Sequence, residues 1–145
     1  MTNDQRFKDL LSRLHAEVFK PRGWKKDGQN FRLFQSDGLC RIVNFQKSAY
    51  NDADCLGFYI NLGVYWEPQR SITNRKFKAY ECRVQGRAHR LVEMWNIFEG
   101  RDMEKLYEEL KNLLEGQSMD WFDQLPNREA AVVRYGSARK GIIWL

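Results

Sequence analysis

Histidine and cysteine are both scarce, and that scarcity excludes chemistry before any motif is sought. His15 and His89 are the two histidines. Neither stands at ligand spacing with Cys40, Cys55 or Cys82, so no zinc centre is expected. The three cysteines lie far apart without a C-x-x-C pair, and an odd count without a secretory signal predicts reduced thiols. Any apolar run long enough to span a bilayer is also missing. Met1-Thr2-Asn3-Asp4-Gln5 is polar and acidic rather than basic-then-apolar, so a cytoplasmic location with no membrane partner is expected. No G-x-S-x-G, Walker-type loop, H-E-x-x-H or G-x-G-x-x-G occurs. Ser48 has Lys47 as its neighbour, but adjacent strand residues point apart, which makes a poor nucleophile–base pair. The carboxylates Glu108-Glu109, Asp52 and Asp54 read as a solvent face and a loop. No cofactor is implied, and an enzyme ranks third among the functional readings.

What is present describes one domain. A chain of 145 residues with 43% apolar content buries a core without disulfide or metal support, so residues 1–145 read as a single unit. The stretch Gly57 to Trp66 organises it. In an extended chain Phe58, Ile60, Leu62 and Val64 share one face, while Tyr59, Asn61, Gly63 and Tyr65 share the other. The first face demands burial, which makes this a central strand. On the second, Asn61 needs partners if covered.

The rest takes its place around that strand. Thr2 and Gln5 have capping-box spacing, and Phe7, Leu10, Leu11, Leu14 and Val18 follow at helical spacing until Pro21 and Gly23. His15 borders this stripe and reads as a packed helix histidine rather than a catalytic one. A meander follows, with Asp27-Gly28 as a hairpin turn, a strand from Phe31 to Gln35 and another from Leu39 to Gln46. Tyr80 to Gln85 alternates as a further strand broken by Gly86-Arg87, and Met94 to Phe98 is a short apolar run. Asp102 opens the clearest helix, whose Met103, Leu106, Tyr107, Leu110, Leu113 and Leu114 form one apolar face. A short helix is expected from Asn127 to Val133, and the apolar end of the tail should dock. The fold class is therefore α+β: an antiparallel sheet of four to five strands with an N-terminal helix and C-terminal helices packed on one face.

Two surfaces emerge as candidate sites. Asn44, Gln46, Tyr59, Asn61, Tyr65, Arg83 and Gln85 form a polar layer if they project from one sheet face, with Cys82 and Val84 on the other. A one-residue slip would invert that arrangement. Amides, phenols and Arg orient small ligands or peptide backbones through hydrogen bonds, and Gly63 lets a ligand or backbone approach. The competing account is a solvated or loop-covered face whose amides satisfy backbone groups. The second surface is electrostatic. Between Pro68 and Val92 seven basic residues face one acid, Glu81, whereas Glu99 to Asp123 carries eight acids against three bases. Arg70, Arg75, Lys76 and Lys78 with Phe77 and Tyr80 mix charge and rings as nucleic-acid binders do. The opposite blocks can equally face each other within the fold.

Three blocks carry a resemblance: Gly23 to Phe31, Val43-Asn44-Phe45-Gln46-Lys47-Ser48, and Phe58 to Tyr65. In that order, followed by Cys82-Arg83, Trp95, the acidic leucine helix and Trp121-Phe122, they resemble the bacterial family of unknown function numbered 4304. The resemblance spans roughly Phe7 to Leu125 and implies a small bacterial α+β protein, with no activity, cofactor or catalytic residue attached. The reading that follows is a non-enzymatic binding module. It uses the polar sheet face for a small ligand or for a peptide or protein partner, as immunity-type neutralising proteins do by analogy of class. Nucleic-acid binding through Arg70 to Arg90 is the alternative.

Overall fold

The computed structural model describes residues 1–68, 75–88, 94–136 and 143–144. Thr2 opens helix α1 (Asn3–Leu14), its Oγ1 accepting the Gln5 amide at 3.1 Å. The helix widens into a π turn over His15–Phe19 and tightens into a 3₁₀ turn over Lys20–Arg22. Gly23 ends it at φ 85°, a left-handed conformation in which a Cβ would be strained. Strands β1 (Lys25–Asp27) and β2 (Asn30–Phe34) form a hairpin around Gly28 and Gln29, closed by the Asp27–Asn30 pair. Strands β3 (Cys40–Lys47) and β4 (Cys55–Tyr65) then pair antiparallel along most of their length.

Beyond β4 the expected Tyr80–Gln85 strand is replaced by a helical turn over Ala79–Glu81, and β5 runs from Val84 to Arg87. The reason is local. The Glu81 carboxylate accepts the Lys78 amide at 2.9 Å and the Cys82 amide bonds back to the Ala79 carbonyl, which closes a turn that alternation alone does not reveal. Gly86 does not break the strand, since it sits opposite Leu62 in the ladder. Strand β6 (Trp95–Phe98) precedes helix α2 (Met103–Leu113), whose first turn is capped by Asp102. Two short helices, α3 (Met119–Asp123) and α4 (Arg128–Tyr135), and the two-residue β7 (Ile143–Trp144) complete the fold.

The sheet order is β1-β2-β3-β4-β5-β7. β4 is long enough for two partners on one edge: β6 pairs with its first half, from Cys55 to Phe58, and β5 with Asn61 to Val64. β7 adds a parallel pairing, alongside β5. Among the described residues the sheet thus has seven strands rather than four or five, because three-residue β1 and two-residue β7 extend its two edges.

One face carries the main core. Phe31, Val43, Phe45, Phe58, Ile60, Leu62, Val64 and Val84 pack there with Phe7, Leu10, Leu14, Leu106 and Leu110 of the helices. Phe7 and Phe58 bring their ring centroids to 5.2 Å, seating α1 on the sheet. The acidic block does not face the basic one among the described residues. Glu104, Glu115 and Asp123 pair with Arg13, Arg22 and Arg41, which ties α2 and its extension to α1 and the sheet. No helix among the described residues is long and apolar enough to cross a membrane.

Candidate functional site

The other face of the sheet is divided into a sealed half and an open half. In the sealed half Cys40, Ile42, Tyr65, Phe77 and Cys82 form a second apolar cluster under the segment 75–82. Phe77 stacks on Tyr65 with centroids 4.7 Å apart and planes 8° from parallel. Arg32, 3% exposed, donates from Nε to the Phe77 carbonyl at 2.9 Å and from a terminal nitrogen to Asp27 at 3.0 Å. The Arg75 guanidinium donates to the Tyr65 hydroxyl and pairs with Glu81 at 2.6 Å, while the same hydroxyl donates to Glu67. Burial, reinforced by the Glu67 contact, pushes the Tyr65 phenol up to about 12. Gly63 belongs to this half. A Cβ there would lie 2.6 Å from Cys82 Sγ, so the close approach that Gly63 permits is taken by Cys82.

Two expected site residues are therefore placed elsewhere. Tyr65 is 2% exposed beneath Phe77. Arg83 precedes β5, donates to the Gly136 carbonyl at 3.1 Å and lies over the Trp66 ring, away from the polar row. Cys82, expected in the main core with Val84, lies in the sealed half instead. The early turn at Ala79–Glu81 is the physical reason, because it removes Cys82 and Arg83 from the strand alternation.

In the open half the register brings Asn30, Asn44, Asn61 and Arg87 side by side across β2, β3, β4 and β5. Their side chains form a directed row. Arg87 Nε donates to Asn61 Oδ1 at 3.2 Å. Asn61 Nδ2 donates to Asn44 Oδ1 at 3.0 Å and to Gln46 Oε1 at 2.9 Å, and Asn44 Nδ2 donates to Asn30 Oδ1 at 2.7 Å. The Arg87 guanidinium also lies 4.6 Å from the centroid of Tyr59. Above the row opens a pocket of about 350 Å³ lined by Asn44, Gln46, Asn61, Gln85 and Arg87, with Tyr80 and Trp144 at its margin. Gln85 is held by its own bond to the Cys82 carbonyl at 2.9 Å.

Arg87, Tyr80 and Trp144 are absent from the expected polar layer. Arg87 was legible in principle: with a strand continuing through Gly86, it shares a face with Gln85 by alternation. Trp144 carried no such signal, because its place comes from a parallel pairing far along the chain.

The basic segment is less concentrated than its composition implies. Arg75 is paired with Glu67 and Glu81, and Lys76 lies 3.9 Å from Asp27, while Lys78 is exposed. Arg70 and Arg90 lie outside the described residues. Two other cavities lie away from the row, one of about 200 Å³ between α1 and α2 and one of about 550 Å³ beside the loop after β3. Between α1 and α2, Arg13 pairs with Glu104 at 2.6 Å and covers the Tyr107 ring. Near Ser48, the loop after β3 is pinned by Asn51, which accepts from the Gly57 amide at 2.7 Å and donates to its carbonyl at 3.1 Å. Ser48 Oγ accepts the Tyr50 amide there, and Lys47 pairs with Asp4 at 2.8 Å. Among the described residues no cluster of His, Cys, Asp and Glu is arranged to hold a metal.

Comparison with known proteins places this geometry in a family. Neither the curated proteins nor the solved structures contain a match to the chain. The family described as "Domain of unknown function (DUF4304)" matches residues 15–124, which run from the end of the first helix through the whole of α2 and α3. Strands β1 to β6, and with them Asn44, Gln46, Asn61, Tyr80 and Arg87, lie inside that span, whereas Trp144 lies beyond it. The chain belongs to the DUF4304 family.

Proposed function

We propose that this protein is a non-enzymatic binding module that holds a small ligand in the open half of its polar sheet face. The observation that carries the reading is the contrast between the two halves. The segment 75–82 packs rings and a cysteine over one, while the other, with its row of bonded amides and Arg87, opens into a pocket. A purely structural network would be expected under that segment as well. Amide side chains held by their neighbours are pre-organised, so a ligand meeting them loses little further side-chain freedom on binding. A bacterial, cytoplasmic setting fits the family resemblance and the reduced thiols. Nucleic-acid binding has less behind it, since Arg75 is already paired with two acids.

A small-molecule fragment library screened by thermal stabilisation tests the reading, because a ligand that binds only the folded state raises the melting temperature. The expected hits lose their effect in the Asn44→Ala, Gln46→Ala double variant and keep it in Val133→Ala, an exposed change on α4. Hits that survive the double variant unchanged place the binding site elsewhere and contradict the proposal.

A further inference from the structure

From the amides around the pocket we infer that its ligand is a neutral planar ring carrying both an N–H donor and an acceptor, the chemistry of an amide within or on a ring, as in a nucleobase. The inference rests on the pocket being a ligand site and adds the chemistry of the ligand. Gln85 gives the first observation. It is 8% exposed, and its Nε2 donates to the Cys82 carbonyl at 2.9 Å. A carbonyl only accepts, so the Gln85 nitrogen faces Cys82 and Oε1 is turned away from it. That oxygen has no partner among the described residues, yet it is not sealed from solvent, and the residue lines the pocket. It offers a positioned acceptor to a ligand N–H.

The row adds donors. Gln46 Nε2 has two N–H groups without a partner among the described residues, and Asn44 Nδ2 has one beyond that given to Asn30. The oxygens of Asn44, Gln46 and Asn61 each take one hydrogen bond from a neighbour and keep a second lone pair. Donors and acceptors therefore line the pocket together. Its described lining holds no carboxylate, and four neutral amides make up most of the polar wall. An ionised carboxylate has no donor for Gln85 Oε1, and a hydrocarbon leaves donors and acceptors alike unpaired. A ligand with both kinds of group satisfies the wall, as amide side chains pair with the neighbouring donor and acceptor of a base edge. The ring requirement comes from a separate observation. Tyr80 and Trp144, two of the large hydrophobic side chains that the fold leaves exposed, at 73% and 63%, both line this same pocket. Exposed rings beside a polar pocket offer stacking surface to a planar ligand. The volume of about 350 Å³ suits a ligand of one or two rings.

Isothermal titration of the full chain with two matched pairs tests this: uracil against 1,3-dimethyluracil, and benzamide against N,N-dimethylbenzamide. Methylation removes every N–H donor and keeps the ring and the acceptors. In at least one pair the N–H form should bind about tenfold or more tightly than its methylated partner. Which pair does so separates an amide within the ring from an amide on it. Gln85→Met removes the acceptor and should erase that preference. Tyr80→Ala, an exposed change, should weaken the N–H form, and Tyr80→Phe, which keeps the ring, should restore it. If benzoate binds more tightly than both N–H forms and loses that binding in the Asn44→Ala, Gln46→Ala double variant, the site stands and the neutral class is wrong. If both methylated forms bind as tightly as their parents, or neither parent binds at millimolar concentration, the inference is overturned. Binding that survives the double variant undiminished places the ligand elsewhere and removes the pocket reading with it.

Discussion

Arg87 Nε lies 3.2 Å from Asn61 Oδ1, and this contact sets the polarity of the amide row that crosses four strands. A guanidinium has no acceptor, so Asn61 has one permitted orientation, and Asn44 and Gln46 follow from it. The arrangement gives a row of amides, each ambiguous in isolation, one defined direction.

Removing the central member should therefore be felt in stability as well as in binding. Asn61→Ala leaves Asn44 Oδ1, Gln46 Oε1 and Arg87 Nε without this partner, and should lower unfolding free energy by roughly 1–3 kcal/mol. Urea denaturation reads this directly. A change below about 0.5 kcal/mol, the size typical of neutral surface substitutions, would mean that water replaces the row without loss.

The helix layer makes a second prediction. Leu110 is fully buried between α2 and the sheet. Leu110→Ala should destabilise by about 2–5 kcal/mol through lost burial and the cavity left behind. An unaltered urea midpoint would show that α2 does not pack as described.

Thiol reactivity should separate the three cysteines. Cys40 and Cys82 are buried at 0% exposure, and burial pushes the Cys40 thiol up to about 12. Cys55 is half-buried at the start of β4. Mass spectrometry after brief alkylation of the native protein should show Cys55 modified first, and all three should react after denaturation without reductant. An intact bridge after denaturation contradicts the assignment of free thiols.

Acid sensitivity near neutrality should trace to His15. Burial, then the nearby Lys20 and Lys26, holds its pKa below the ordinary 6.5, and its Nδ1 is buried without a partner among the described residues. The unfolded chain therefore binds the proton more readily. The stability contributed by neutral His15 is complete above pH 6.5 and is lost as pH falls through that value toward the lower folded pKa. In wild type, stability should decline over this window, and His15→Leu should flatten the decline. Identical pH profiles for the two proteins would remove His15 from the account.

The helices and the central strand were legible because their signals are local. Phe7, Leu10, Leu11 and Leu14 repeat with the helical period, and Asn61 stands opposite Ile60 and Leu62 by strand alternation. What alternation missed is the Lys78–Glu81 turn, which takes Cys82 out of the main core and Arg83 out of the polar layer. Tyr65 has the right parity for the polar face but meets Phe77, whose position depends on how the segment 75–82 folds back over the sheet. Arg87 was hidden by reading Gly86 as a break, although opposite Leu62 the glycine continues the ladder. Face was encoded in the sequence; cover was not, because cover arises from contacts between distant segments.

The most direct test of the central claim is a ¹⁵N-edited NMR titration of the full chain with a fragment that stabilises it thermally, following the side-chain amides. The account predicts that Gln46 Nε2 and Asn44 Nδ2 shift first and saturate together, with the Asn61 amide following through its bonds to both. Side-chain amides of Asn44, Gln46 and Asn61 that stay unmoved at saturation, while resonances between α1 and α2 shift, would contradict it.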